Sequence, residues 1–90
     1  MDHKVIFPES FSIRPSKQLI KAKTLNEIFL EIQRLSPTIS KKIFKNQKEK
    51  TLRSFVSIFI NGARINPTLI PQFKFLHKSE VRFVMAIAGG

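Results

Sequence analysis

Val81-Arg82-Phe83-Val84-Met85-Ala86-Ile87-Ala88-Gly89-Gly90 is a strand-like run that passes through small and aliphatic residues into two glycines. The whole sequence holds three glycines, and two of them stand here. Glycine has no Cβ, so a backbone built from it can approach another surface closely or pass a narrow channel. Residues 86–90 therefore read as a flexible tail, with Ala86, Ile87, Ala88 and Gly89 suited to insertion and the carboxylate of Gly90 as the working group. The same residues also suit an ordinary frayed end. The rest of the chain decides between the two.

Upstream, Phe55-Val56-Ser57-Ile58-Phe59-Ile60 is the strongest strand, and it runs into Asn61-Gly62, the best two-residue hairpin signal. Ala63-Arg64-Ile65 is the short return strand, and a final strand spans about residues 80–85. Between them Pro67 and Pro71 mark an irregular crossing, with Leu69, Ile70, Phe73 and Phe75 expected to drop apolar side chains beneath it. Toward the N-terminus, Val5-Ile6-Phe7 and Leu19-Ile20 are two short β-prone runs, a hairpin with a long connection. Thr24-x-x-Glu27 is a capping box. Behind it Leu25, Ile28, Phe29, Ile32 and Leu35 form one apolar face of an amphipathic helix, which Pro37 should end at Ser36. Ile39, Ile43 and Phe44 can anchor a further short helical turn, and residues 46–51 read as an exposed loop. The order β-β-α-β-β-β makes the chain an α+β fold, one helix against a small mixed sheet, in a single domain over residues 1–90.

Composition agrees with one modest core. A chain of 90 residues buries roughly 60–65% of the surface its unfolded form exposes, and nine phenylalanines supply much of the volume. There is no cysteine, so the chain forms no disulfide, carries no persulfide and binds no zinc through thiolates. No stretch approaches the ~20 apolar residues of a membrane span, and no signal-peptide run follows the start, so a cytoplasmic protein is expected. The net charge of +10 invites an acidic partner. Its excess is lysine without aromatic interleaving, which makes nucleic acid the less favoured partner and a solvated basic face the simpler reading. Residues 41–53 concentrate that charge and read as a solvated segment.

Alternation along the strong strand places Val56, Ile58 and Ile60 toward the helix and Phe55, Ser57 and Phe59 on the opposite face. Two phenylalanines on an open face form a candidate partner surface, with Arg64, Lys74 and Arg82 as its basic rim. The alternative is that the 67–75 crossing folds over them. His3 and His77 have no neighbouring nucleophile or carboxylate cluster in the sequence, so no catalytic residue and no metal ligand is assigned.

Strand, turn and tail together resemble the ubiquitin-like β-grasp sulfur-carrier family of bacteria. Phe55-Val56-Ser57-Ile58-Phe59-Ile60-Asn61 is similar to its "FVNIYVN"-type strand, and Val81-x-Phe83-x-x-Ala86-Ile87-Ala88-Gly89-Gly90 to its "V-x-I-x-P-A-V-A-G-G" ending. Ile13-Arg14-Pro15 matches an "LRP" element, and Thr24-Leu25 a helix-opening "TL". The likeness is greatest to the subgroup serving cysteine biosynthesis, with the molybdopterin-synthase small subunit and the thiamine-pathway carrier as near relatives. Three features depart from the pattern: His77-Lys78-Ser79 replaces a "D-G-D" turn, Met85 replaces the tail proline, and the chain is basic where many members are acidic.

The resemblance implies a carrier and co-substrate, not an enzyme. A C-terminal carboxylate, with a pKa of about 3.5, is anionic and a poor electrophile at neutral pH. In the family a separate E1-like enzyme uses ATP to adenylate the terminal glycine, and sulfur then converts it to a thiocarboxylate that a sulfur-accepting synthase consumes. The chain has no phosphate loop of its own and is expected to bind no cofactor itself. Conjugation to lysines as a ubiquitin-like modifier is the alternative use of the same tail, and a small basic nucleic-acid-binding module is the third.

Overall fold

The computed structural model describes residues 1–11, 15–46, 48 and 51–86. Strands β1 (Asp2–Ile6) and β2 (Lys17–Lys21) form the expected hairpin, antiparallel and in register from Asp2 opposite Lys21 to Ile6 opposite Lys17. β1 begins and ends earlier than its apolar run suggests. Phe7 lies just beyond it, buried, with its amide bonded to the Ser16 carbonyl. A 3₁₀ turn at Glu9–Phe11 sets Phe11 into the core. Of the Ile13-Arg14-Pro15 element only Pro15 belongs to the described residues.

Helix α1 (Leu25–Leu35) starts where the capping signal places it. The Thr24 hydroxyl accepts from the Glu27 amide at 3.1 Å, while the Glu27 carboxylate accepts from the Lys23 amide at 2.8 Å. Leu25, Ile28, Phe29 and Ile32 are buried. Leu35 keeps the stripe's spacing yet is 47% exposed. Periodicity gives the direction of a side chain, not the presence of a neighbour, and the last residue of this helix has little to pack against. On the outer face Glu31 pairs with Arg34, whose guanidinium holds the carboxyl below its ordinary range. Such an exposed pair adds little stability.

Pro37 ends α1 and also opens helix α2 (Pro37–Ile43). Proline disfavours the helical region at Ser36, which is extended at φ −154°, ψ 95°, but suits the first helical position itself. Ser36 then serves both helices. Its amide donates to the Ile32 carbonyl and its hydroxyl accepts from the Ile39 amide. The segment expected to be a loop at residues 46–51 is bounded by a small hairpin instead, β3 (Phe44–Asn46) with β4 (Thr51–Leu52). Gln47, Glu49 and Lys50 lie outside the described residues.

β5 (Val56–Ile60), β6 (Ala63–Arg64) and β7 (Glu80–Met85) complete the main sheet, whose order is β2-β1-β7-β5-β6. Asn61 at φ 51° and Gly62 at φ 86° make the tight turn between β5 and β6. This left-handed pair is the geometry the Asn-Gly signal implies. β7 enters between β5, antiparallel, and β1, parallel, with Val5 opposite Val81. A parallel pair needs a long crossover, and everything from β2 to β6 serves as that crossover.

α1 covers one face of the sheet. Val5, Ile20, Val56, Ile58, Val81 and Phe83 meet Leu25, Ile28, Phe29 and Ile32 in a single core, with Phe29 edge-on to Phe44 at 4.7 Å. The crossing between β6 and β7 is a 3₁₀ helix (Pro67–Gln72) packed on α1, with Ile70 buried. Phe75 is buried as expected, but Leu69 is 53% exposed. At three residues per turn Leu69 points a third of a turn away from Ile70.

Candidate interaction surface

Register builds the open face of the sheet. Phe59 stands opposite Arg64 on β6 and opposite Arg82 on β7; Arg82 stands opposite Ile6, and Ile6 opposite Lys17. One transverse row thus reads Arg64–Phe59–Arg82–Ile6–Lys17, apolar groups interleaved with cations. The next row pairs Ser57 with Val84, which is 38% exposed. Lys4, opposite both Leu19 and Glu80, continues the pattern, and Glu80 lies 3.8 Å from the Arg82 guanidinium. Ile6 is buried yet outside the core cluster, as expected for a residue sheltered on this face by its neighbours.

The 67–75 crossing lies with α1 on the other side of the sheet, so it does not fold over Phe59. Lys74, expected in the rim, bridges Thr24 at the start of α1 and stands apart from the row. Phe55 precedes β5 in a turn, 41% exposed, and its carbonyl accepts from the Ala86 amide at 2.8 Å. That bond carries the β5–β7 ladder one residue past Met85, which pairs with Val56. Ala86 is exposed; Ile87, Ala88, Gly89 and Gly90 lie outside the described residues.

The far end of β7 is tied by a polar knot. The Asn61 side chain accepts from the Glu80 amide at 2.9 Å and donates to the Ser79 hydroxyl at 3.2 Å. The Ser79 amide donates to His3 Nδ1, and His3 Nε2 donates to the Ala22 carbonyl at 2.8 Å. An amide only donates and a carbonyl only accepts, so Nδ1 is the acceptor here and Nε2 carries a proton. His3 is wholly buried and stacks on Phe75 at 3.9 Å. His77-Lys78-Ser79 is thus anchored through Ser79, which bonds to both Asn61 and His3. The exposed His77 ring bonds to the neighbouring Lys78 carbonyl, and the His77 carbonyl accepts from the Ser79 hydroxyl at 3.0 Å. Among the described residues no three His, Cys, Asp or Glu are placed to hold a metal ion, and no helix is long and apolar enough to cross a membrane.

Local sequence pattern missed the basic groove at the opposite end of β7. Thr38, Lys41, Lys42, Arg53, Phe55 and Met85 line an open depression of about 600 Å³. Lys41 and Lys42 are on α2 and Arg53 precedes β5, and no local signal links them to Met85.

A hairpin, a helix laid across it and a last strand inserted parallel to the first constitute the ubiquitin-like β-grasp fold. Solved structures of other small proteins share it. SAMP1 from Haloferax volcanii matches with a TM-score of 0.78 at 9% identity, covering 100% of each chain. The small archaeal modifier protein 1 of Methanosarcina acetivorans gives 0.71 at 20% identity, over 99% of this chain and 96% of its own. CysO of Mycobacterium tuberculosis, described as an antigen, gives 0.76 at 15% identity, over 93% and 98%. Identity this low carries the fold alone. No family model and no curated protein matches the sequence.

Proposed function

We propose that this chain is a ubiquitin-like carrier whose Gly90 carboxylate is activated by a separate E1-like enzyme. The observation that supports it is the position of β7. It lies between β1 and β5 near the middle of the sheet, and its last ladder bond is made at Ala86, four positions before Gly90. A carboxylate oxygen of Gly90 attacks the α-phosphorus of ATP held by that enzyme, and pyrophosphate leaves. A sulfide-equivalent nucleophile then attacks the acyl carbon, AMP leaves, and Gly90 carries a thiocarboxylate. Its sulfur anion is a soft nucleophile for an acceptor held by a synthase, in cysteine formation or a related sulfur pathway such as that of molybdopterin or thiamine. The chain is a co-substrate in this scheme, and the ATP belongs to its partner.

Recognition falls to the folded body, because a thin Ala86–Gly90 tail offers few side chains. Phe55 and Phe59 supply the apolar part of that surface, and Arg64 and Arg82 flank Phe59 in register. An apolar centre with a charged rim is the common anatomy of a specific interface.

A second reading has support of its own, since two of the structural neighbours are named as archaeal modifier proteins. In it a lysine amine attacks the adenylated Gly90, AMP leaves, and an isopeptide bond forms. The intact mass of the protein isolated from its own host separates the two. Replacement of one Gly90 oxygen by sulfur marks a carrier, and Gly90 linked to lysine in a larger species marks a modifier. ATP–pyrophosphate exchange by the host's activating enzyme that persists undiminished after removal of Gly90 refutes both.

A further inference from the structure

We infer that the groove at the root of the tail is a docking site for an acidic peptide segment of the protein that receives the tail. The identity of that partner rests on the tail reading above, but the ligand chemistry rests on the groove alone. Lys41 and Lys42 rise from the last turn of α2, and Arg53 joins them from the chain entering β5. Arg53 is preset, because its Nε donates to the Lys41 carbonyl at 2.9 Å, which leaves the outer guanidinium nitrogens to face a ligand. None of the three cations forms an ion pair among the described residues. Three cations around one depression attract a polyanion, and the +10 chain adds long-range steering.

The rest of the lining selects the kind of anion. Phe55 and Met85 place apolar surface between the cations. A peptide that alternates carboxylates with aliphatic side chains uses both parts, whereas a sugar–phosphate backbone uses only the charge. The position supports a role in tail capture. Met85 is the last residue of β7, and the Phe55 carbonyl holds the Ala86 amide, so a segment seated here lies beside the point where the tail begins. Residues 41–53, which read in sequence as a solvated segment, thereby divide. Lys41, Lys42 and Arg53 converge on the groove, while Lys45 and Lys48 are exposed outside its lining.

The test titrates the ¹⁵N-labelled full chain with a peptide of alternating Glu and Leu. Parallel titrations use the same peptide with Gln for Glu, a short oligothymidylate, and ATP. The Glu peptide should move the amides of Lys41, Lys42, Arg53, Phe55 and Met85, and the Gln peptide should not. The double variant Lys41→Glu/Lys42→Glu should weaken binding by about tenfold or more, since close like charges now oppose the ligand. Lys41→Gln/Lys42→Gln should lie between, and Lys21→Glu on the distant β2 edge should change little. Melting curves identify any variant that fails to fold, and the Gln pair then carries the comparison.

Equal binding of the Gln peptide overturns the inference. So do shifts confined to the Phe59 row, or tighter binding of oligothymidylate or ATP at the groove amides. A chain lacking Gly89 and Gly90 should still bind the Glu peptide. If it does while the intact tail is never activated, the tail reading fails and the groove stands. If the tail is activated normally and the peptide ignores the groove, the groove inference fails alone.

Discussion

Replacing His3 tests the polar knot at the start of β7. The ring is wholly buried, donates to the Ala22 carbonyl, accepts from the Ser79 amide, and stacks on Phe75. His3→Ala leaves a buried carbonyl and a buried amide without partners, each costing about 1–3 kcal/mol. It also removes a ring pair contributing about 0.5–1.5 kcal/mol. These effects share one location and do not add fully, so the expected loss is about 3–5 kcal/mol, the range for truncating a buried ring. That is a large part of the ~5–15 kcal/mol that stabilises a typical domain. Urea denaturation should show a lower midpoint with an unchanged slope. His3→Phe refills the volume and keeps the stack, so its loss isolates the two hydrogen bonds. His3→Asn retains an acceptor for Ser79 and should fall between the two. If His3→Phe matched the parent, the hydrogen bonds would carry no stability and the knot would be incidental. A loss under about 1 kcal/mol for His3→Ala, below the desolvation cost of even one orphaned group, would refute the reasoning as a whole. Tail activation per folded molecule should be unaltered throughout, because His3 lies at the opposite end of β7 from Ala86.

Asn61→Ala should cost more than an ordinary turn substitution, by about 1–2 kcal/mol for the left-handed backbone alone. It also loses the side-chain bonds to Glu80 and Ser79, and hydrogen exchange should rise first at the start of β7. Phe29→Ala should lose about 3–5 kcal/mol through a core cavity, whereas Leu35→Ala should stay within about 0.5 kcal/mol although both belong to one sequence stripe; equal losses would place Leu35 in the core. Phe59→Ala should weaken binding to the activating enzyme by over about 1 kcal/mol in calorimetry. Arg82→Glu should chiefly slow association, with a smaller effect at high salt; a silent Phe59→Ala would remove the open face from the proposed interface.

Much of the chain could be read one element at a time. The Thr24 cap, the stripe from Leu25 to Ile32, the stop before Pro37, the Asn61-Gly62 turn and the final strand each depend on neighbours within a few residues, and each stands where the sequence puts it. Such signals are local because caps, turns and periodicity are satisfied by backbone groups close by in the chain. The failures have the same origin. Leu35 and Leu69 follow apolar spacing but lack a neighbour to cover them, and α2 appears because Pro37 suits a first helical turn as well as it breaks the previous one. Tertiary structure alone decided what required distant parts of the chain to meet. The parallel entry of β7 beside β1 put Arg82 next to Ile6 and Ser79 against His3, residues more than seventy positions apart. It also brought Lys41, Lys42 and Arg53 to the root of the tail. Residue order does not encode which distant residues meet, because that follows from where the sheet closes and which side the helices leave bare.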